Sequence, residues 1–446
     1  VDAAHAHSAS FKFKVPGKFG GSANYKVYYL GKNSSSNQVT IPTAQTQTTP
    51  NTTNHLGNSG DYGTATATGT LGGSVFSFQL EHQATYLVFQ PYTSNAVLKN
   101  CYLTKIEVNS DDDIAETYTI NSSTGNLNGS AGSKQIVLTT KDPVAGSTNE
   151  KGFSFTNATS ISTADKVYML IKPGAHTLKV RYWVKDYDTN VEGTITKVLP
   201  SFNYDKNTYY DMTANLDVKN YDGDHYYMWD AQDQYWKGHE WNHSGSQPTL
   251  SQGLTGATTS NDYAKNNTDS RYYNESYPGN GVSNPATHTS CKDLPNANEL
   301  SWYCMYGDPR WDADELWTTM GRLYKGGMWF KKKSVLLAEG NYNTEKSADG
   351  TTDLRTTYEN YNNTNSSINN SGLPSAADAN KYFYLPALGY YFSGQLNSVG
   401  DYGYYWSSEA YPWDSHLAYY LYFSSGNVNV TGYGNRFNGF RAEALQ

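Results

Sequence analysis

The chain reads as a multidomain protein in which two all-β sandwich domains, residues 1–93 and 94–217, precede a ring-rich third domain of strands, short helices and loops, residues 218–446. Three observations predict this. Alternation of apolar and polar residues with period two dominates up to about residue 217, leaving little room for a helix. Nine of the 10 Trp lie at or after Trp229, so the two halves have different material from which to build a core. A helix-start signature, Asn296 with Glu299 three residues on, falls in the third domain. The length of 446 residues suits two or three domains, since one core rarely serves more than about 250 to 300. Leu, Ile, Val and Phe together fall below the roughly 20% that hints at disorder. The 40 Tyr, 15 Phe and 10 Trp reverse that reading, because a ring buries a large area while keeping a polar tip hydrated.

In the first domain Phe11, Phe13 and Val15 alternate with Lys12 and Lys14, which predicts a strand. Residues 31–73, rich in Ser, Thr, Asn and Gly with Pro42 and Pro50, predict long surface loops with few strands. Phe76, Phe78 and Leu80 then alternate with Ser77, Gln79 and Glu81, and an apolar run follows from Tyr86 to Phe89. In the second domain, strands are predicted around Ile106 and Val108, Tyr118 to Ile120, Gln135 to Leu138, Phe153 to Phe155 and Val167 to Ile171. Leu178, Val180, Tyr182 and Val184 alternate with Lys179, Arg181, Trp183 and Lys185; a last strand sets Tyr210, Met212, Ala214 and Leu216 on one face. The acidic turn Asp111-Asp112-Asp113 lacks the spaced ligands and Gly of a calcium loop.

The order of these segments, from Thr117-Tyr118-Thr119-Ile120 and Ser123-Thr124-Gly125 through Gly152-Phe153, Tyr168 to Gly174 and Leu178 to Val184 to a closing stretch at Asn207 to Leu216, resembles the fimbrillin family of Bacteroidales surface pili over about residues 75–217. The resemblance implies tandem transthyretin-like sandwiches, export as a lipoprotein precursor and proteolytic removal of an N-terminal segment. Its implied partners are other pilus subunits, joined by donor-strand addition, which exploits unpaired backbone at an open sheet edge. The implied location is the cell surface, in a fimbrium at the outer membrane. Val1 as first residue is compatible with a removed export segment.

In the third domain, Leu300, Tyr303 and Cys304 share a face of the predicted helix, which runs to Gly307, and a second short helix is predicted from Leu316 to Leu323. Tyr382 to Leu385, Tyr402 to Ser407 and Ala418 to Phe423 read as strands. The stretches Leu294 to Glu299, Gly326 to Phe330, Tyr384 to Gly389 and Tyr404 to Ser408, with the ending from Ala418 to Ala442, resemble a bacterial family that shares its fold with formylglycine-generating enzymes and C-type lectins. That resemblance implies an α+β, C-type-lectin-like fold with a loop-rich periphery. The enzymes' pair of late cysteines is missing, since the last Cys here is Cys304, so no enzymatic activity and no cofactor are expected. Trp406-Ser407-Ser408 reads as core packing rather than a nucleophile.

Charge narrows the functional classes. There are 33 Lys+Arg against 41 Asp+Glu, a net charge of -8, and the one basic run, Lys331 to Lys333, reads as a solvated strand end. Nucleic acid is not an expected partner, and no apolar stretch approaches the roughly 20 residues of a membrane span. The three cysteines form no framework; Cys291 and Cys304 are either a pair or two buried thiols.

Two segments carry candidate sites. His239-Glu240-Trp241-Asn242-His243 has the HExxH form, which on a helix sets two imidazoles on one face for zinc with Glu240 as general base, the chemistry of a secreted zinc-dependent hydrolase. Gly238 before it and Ser244-Gly245-Ser246 with Pro248 after it predict a surface loop instead; Asp262, Glu275 and His288 are the available third ligands. The second segment is Tyr411-Pro412-Trp413-Asp414-Ser415-His416, a loop between predicted strands, with Tyr433, Asn435 and Arg436 in a neighbouring loop and Trp241 beside them. Exposed rings stack on apolar sugar faces while Asn and Asp bond hydroxyls, so these residues are the expected ligand site for a glycan or host surface protein. No Glu-Pro-Asn or Gln-Pro-Asp triplet is present, so calcium-dependent sugar binding is not expected. The combined expectation is a structural and adhesive pilus subunit, placed at the tip because a fused terminal domain would obstruct a repeating shaft.

Overall fold

The alternation of Leu178, Val180, Tyr182 and Val184 becomes the spine of the molecule: all four are buried in the 13-residue strand Gly174–Asp186. That strand pairs antiparallel with Val191–Tyr204 on one side and Tyr102–Ser110 on the other. The structure is a computed structural model that describes residues 12–121, 124, 126–243, 245–250, 260–366, 368 and 374–446. Its secondary structure is mostly β, with two α-helices among the described residues.

Around the spine runs a nine-stranded sheet in the order Tyr382–Pro386, Arg322–Lys331, Arg310–Thr319, Val191–Tyr204, Gly174–Asp186, Tyr102–Ser110, Gln135–Thr139 and Ala44–Thr46, with Phe153–Ser154 beside Tyr102–Ser110. Val167–Ile171, Thr85–Tyr92 and Tyr209–Asn215 make a three-stranded sheet. Its buried Leu87, Phe89, Met169 and Ile171 share one core with Ile106, Val108, Ile136, Leu178 and Val180 of the larger sheet. Two smaller sheets complete this half: Leu127–Ser133, Ala115–Ile120, Gln38–Ile41 and Ser34–Ser35 form one, and Asn24–Tyr29, Gly63–Gly69, Phe76–Ser77 and Glu81–His82 the other.

Several expectations for this half are corrected. Residues 12–15 form no strand, and Phe13 and Val15 are exposed, so the alternation there does not become part of a sheet; Phe11 lies outside the described residues. Residues 31–73 hold four strands rather than mainly loops, because Thr-rich segments such as Gly63–Gly69 pair through their backbone despite few apolar side chains. Phe76, Phe78 and Leu80 do not make one strand: Phe76–Ser77 and Glu81–His82 are separate and Phe78 is exposed. No seam falls at residue 93, since Gln38–Ile41 pairs with Ala115–Ile120, Ala44–Thr46 with Gln135–Thr139, and Thr85–Tyr92 with two strands from beyond it.

After residue 218 the principal sheet has six strands, ordered Tyr226–Tyr227, Phe440–Arg441, Gly403–Ala410, Leu417–Phe423, Val428–Asn435 and Tyr361–Asn363. The helix Ala297–Tyr306 begins with the predicted capping box: Asn296 Oδ1 accepts the Glu299 N–H at 3.0 Å and the Asn296 N–H donates to Glu299 Oε2 at 2.8 Å. Leu300, Tyr303 and Cys304 pack against Leu421, Phe423, Val428 and Val430 of the sheet. The helix expected from Leu316 to Leu323 is instead a hairpin of Arg310–Thr319 and Arg322–Lys331, turned at Met320 and Gly321, both at positive φ. The second helix is Lys333–Ala338, at the end of the basic run. Cys291 and Cys304 are both free and buried, in different core clusters.

The motifs that carry the second resemblance converge in space. Met328 pairs with Leu385, the Ala387 N–H donates to Gly326 O at 2.9 Å, Tyr405 Oη donates to Pro386 O at 2.7 Å, and the Ser408 N–H donates to Pro295 O at 3.0 Å. Trp406 packs in the core as expected, stacked on Phe440 at 4.3 Å with its Nε1 donating to Tyr227 O at 2.8 Å.

The halves are joined by buried polar chemistry. Thr194 bridges to Glu315 in parallel register, and the Glu315 carboxylate accepts from Thr194 Oγ1 at 3.0 Å, Thr196 N at 3.0 Å and Thr196 Oγ1 at 2.7 Å. Arg181 lies 3.4 Å from Asp312, and Lys179 Nζ donates to Pro374 O at 2.6 Å. Burial, with Asp312 nearby, pushes Glu315 up to about 7. The face of Gly174–Asp186 that carries Lys179 and Arg181 therefore meets the ring-rich half.

Candidate functional site

Residues 411–416 connect the antiparallel strands Gly403–Ala410 and Leu417–Phe423, so the loop is anchored at both ends in the six-stranded sheet. Its Tyr411 ring lies directly on Gly432 of the Val428–Asn435 strand, where any side chain would collide with it. Tyr433, one residue on, points outward with 55% of its surface exposed. Tyr411 and Tyr433 are 5.9 Å apart, and Tyr358 completes a triangle at 5.1 Å from Tyr411 and 5.3 Å from Tyr433. Trp413 extends from the same loop, 49% exposed, with its ring edge against Gly281. That glycine holds φ +71° and donates its N–H to Pro412 O at 2.7 Å, so the 279–281 turn props the loop from beside it. Asp414 Oδ1 accepts the His416 N–H at 2.8 Å and lies 3.2 Å from His416 Nδ1, giving the loop its own internal brace.

The expected site residues separate into two groups. Tyr411, Trp413, Asp414 and His416 belong to one loop, Tyr433 packs beside Tyr411, and Asn435 is half-buried where its strand pairs with Leu417. Arg436 does not face solvent. Its guanidinium is fully buried, donates to Leu417 O, Asn274 O and Ser276 O at 2.9 to 3.0 Å, and lies 4.5 Å from the Trp229 ring centre. Burial lowers its pKa to about 10, still cationic at neutral pH, and its work is to tie the loop to the 274–276 segment. Trp241 lies elsewhere, against Gly321 in the Met320–Gly321 turn.

The HExxH segment is a series of turns. A helix would send the His243 N–H to His239 O; here it goes to Glu240 O at 3.2 Å, while His239 O accepts from Gln247 N. Gly238 is left-handed at φ +78°, and Glu240 Oε1 accepts from Gly238 N and Gln234 Nε2 while Oε2 lies 4.0 Å from His243 Nδ1. Asp262, Glu275 and His288 are engaged with Ser246, Asn267 and Asp230 respectively. Among the described residues no group of three or more His, Cys, Asp or Glu is placed to hold a metal ion.

Two buried acids were not singled out from the sequence. Asp230, wholly buried, gathers Asn274 Nδ2, Thr287 N, Thr287 Oγ1 and His288 N between 2.6 and 3.1 Å and so fixes the 274–288 segment that abuts the Trp413 loop. Glu409, at the foot of that loop, accepts from Ser283 Oγ at 2.9 Å and Asn284 N at 2.8 Å, and burial pushes it up to about 7. Tyr358, the third ring of the triangle, was also missed: it is distant in sequence and preceded by no strand pattern. A cleft of about 420 Å³ between Lys219, Tyr221, His225, Asp293, Tyr384 and Glu443 lies apart from these rings, and its Lys219 and Glu443 sit 3.7 Å from one another.

No protein-family model and no curated protein matches the chain. Among solved structures it is similar to a proposed cell adhesion protein from Bacteroides ovatus ATCC 8483, at 15% identity and a TM-score of 0.27, over 43% of this chain and 62% of that one. It is similar as well to a proposed cell adhesion protein from Bacteroides uniformis ATCC 8492, at 14% identity and a TM-score of 0.23, over 43% of this chain and 67% of that one. A fimbrial protein from Bacteroides ovatus ATCC 8483 matches at 12% identity and a TM-score of 0.19, over 90% of this chain and 77% of that one. The chain thus spans less than two thirds of the length of the first of these structures. No helix among the described residues is long and apolar enough to cross a membrane.

Proposed function

We propose that this chain is a structural and adhesive subunit of a bacterial surface pilus, at the tip, with its ring-rich C-terminal half binding a glycan or host surface protein. The observation that carries the reading is the triangle of Tyr358, Tyr411 and Tyr433, with half-exposed Trp413 two residues along the braced Tyr411 loop. Rings already held in place lose little freedom on binding, which is what a contact surface requires. Assembly by β-strand addition is supported by the motif order of residues 75–217 and by Tyr209–Asn215, which ends its three-stranded sheet. The cell surface follows as the location of such a subunit.

Binding of the intact chain to arrays of host glycans and host proteins, repeated with Trp413→Ala and Tyr433→Ala, tests the adhesive part. Retention by the unaltered chain and loss in both variants is expected; equal retention would place adhesion elsewhere. Immunogold labelling of assembled pili tests the position: label confined to ends is expected, and label at regular intervals along shafts overturns the tip placement.

A further inference from the structure

Resting on the adhesive reading above, we infer that the ligand of the Trp413 surface is an uncharged glycan, stacked on the rings, and that sialylated or sulfated chains are disfavoured there. The reason is the charge that surrounds the rings. Asp414 lies in the loop itself with its carboxylate half-exposed, and exposed Glu359 follows Tyr358 directly. The neighbouring cations are already engaged. Arg436 is buried among three backbone carbonyls. Arg355 is paired with Asp353 at 2.8 Å and Glu345 at 2.5 Å. His416 is turned to Asp414.

Recognition of a carboxylate or sulfate calls for a cation that can meet it, ordinarily a guanidinium fork. This surface offers an anionic ligand two carboxylates instead, and like charges at contact distance repel even in water. A neutral hexose meets no such penalty. Its apolar ring face covers Trp413 and Tyr433, and its hydroxyls reach the half-exposed Asp414 carboxylate in the Trp413 loop. Tyr358 and Tyr411, packed edge-on against one another, are then positioning residues as much as contacts, because Tyr433 lies tilted against both.

The test uses the intact chain on a glycan array that pairs neutral oligosaccharides with the same oligosaccharides capped by sialic acid or sulfate, followed by calorimetric titration of the best neutral binder. The expected result is preferential binding of the neutral members. Trp413→Ala and Tyr433→Ala should each raise Kd about tenfold without moving the thermal midpoint, and Asp414→Asn should improve binding of the sialylated partner. Best binding to sialylated or sulfated members, or neutral binding that survives both ring substitutions, overturns the inference while leaving an adhesive role intact. Capture of a host protein with no glycan bound does the same. A chain that retains neither glycans nor host proteins overturns the inference and the adhesive reading together.

Discussion

In the half before residue 218 the core is mainly branched aliphatic: Ile106, Val108, Ile136, Leu138, Leu178 and Val180 meet Leu87, Met169 and Ile171 across the sandwich, with a few rings among them. The half after it is built from rings. Trp229, Trp236, Trp317, Trp406, Tyr226, Tyr303, Tyr391 and Tyr405 are all fully buried there, together with the guanidinium groups of Arg436 and Arg441. An aliphatic core asks only for shape and volume, and tolerates swaps that keep both. A ring core asks in addition that each polar tip find its acceptor. Trp229 Nε1 donates to Ser407 O, Trp317 Nε1 to Gly326 O, Tyr226 Oη to Leu388 O and Tyr391 Oη to Pro248 O. Leu388 and Pro248 lie in loops and Ser407 and Gly326 within strands, so contacts that fill the core also tie loops to it. Loops carried on such a core gain rigidity from this arrangement.

The largest expected effect follows from removing one ring. Trp406→Ala should lower unfolding stability by about 3–5 kcal/mol, since it opens a cavity against Phe440 and strands Tyr227 O. Urea unfolding followed by tryptophan fluorescence measures it, and a loss under about 1 kcal/mol would show the ring core to be plastic. A sharper contrast comes from two swaps of nearly equal volume. Tyr391→Phe deletes the hydroxyl bonded to Pro248 O and Gln247 Nε2 and should cost about 1–3 kcal/mol. Leu178→Met, in the aliphatic half, should cost less than about 1.5 kcal/mol. Equal costs would erase the distinction between the halves.

A pH effect should come next in size. The Glu409 pKa is raised to about 7 by burial, with Arg355 and Asp353 as nearby charges and Ser283 and Asn284 as donors. The folded chain then holds a proton that the unfolded chain has released, so the contribution to stability is full below about pH 4.5 and is lost as pH rises towards 7. Glu315, raised likewise at the junction, acts in the same direction. Glu409→Gln should remove part of the decline in urea midpoint between pH 5 and pH 8, on the order of 1–2 kcal/mol; an identical decline in the variant would assign it to Glu315 or other groups. Least in size, Asn296→Ala should cost about 1 kcal/mol through loss of the capping box, with no change at the Trp413 surface.

What could be read from the chain alone was local. Val167–Ile171 was legible because five apolar residues in a row leave no other reading, and the helix at Ala297–Tyr306 because Asn296 and Glu299 supply both halves of a cap. Val191–Tyr204 was missed despite its 14 residues: Gly193 and Pro200 interrupt it, and residues 200–203 are exposed. The Leu316 to Leu323 segment misled because its apolar spacing fits a helix face and a hairpin equally, and the turn at Met320 and Gly321 decides between them only through its pairing across the strands. At the candidate site, Tyr411, Trp413 and Tyr433 were legible as rings in predicted loops; Arg436 was misplaced because a cation beside a loop looks the same whether it points out or in.

By itself, then, the sequence determined that the chain is strand-built, that its rings are segregated after residue 218, and that one helix starts at Asn296, since each depends on neighbours within a few positions. Only the tertiary structure decided that Lys179 and Arg181 face another part of the same chain, that Tyr358 joins Tyr411 and Tyr433, that the HExxH segment is turned rather than helical, and that Arg436 is buried. The physical reason is common to all four. A polar side chain satisfied by water and one satisfied by a distant carbonyl or carboxylate obey the same local pattern, and only the surface packed against them tells the two apart.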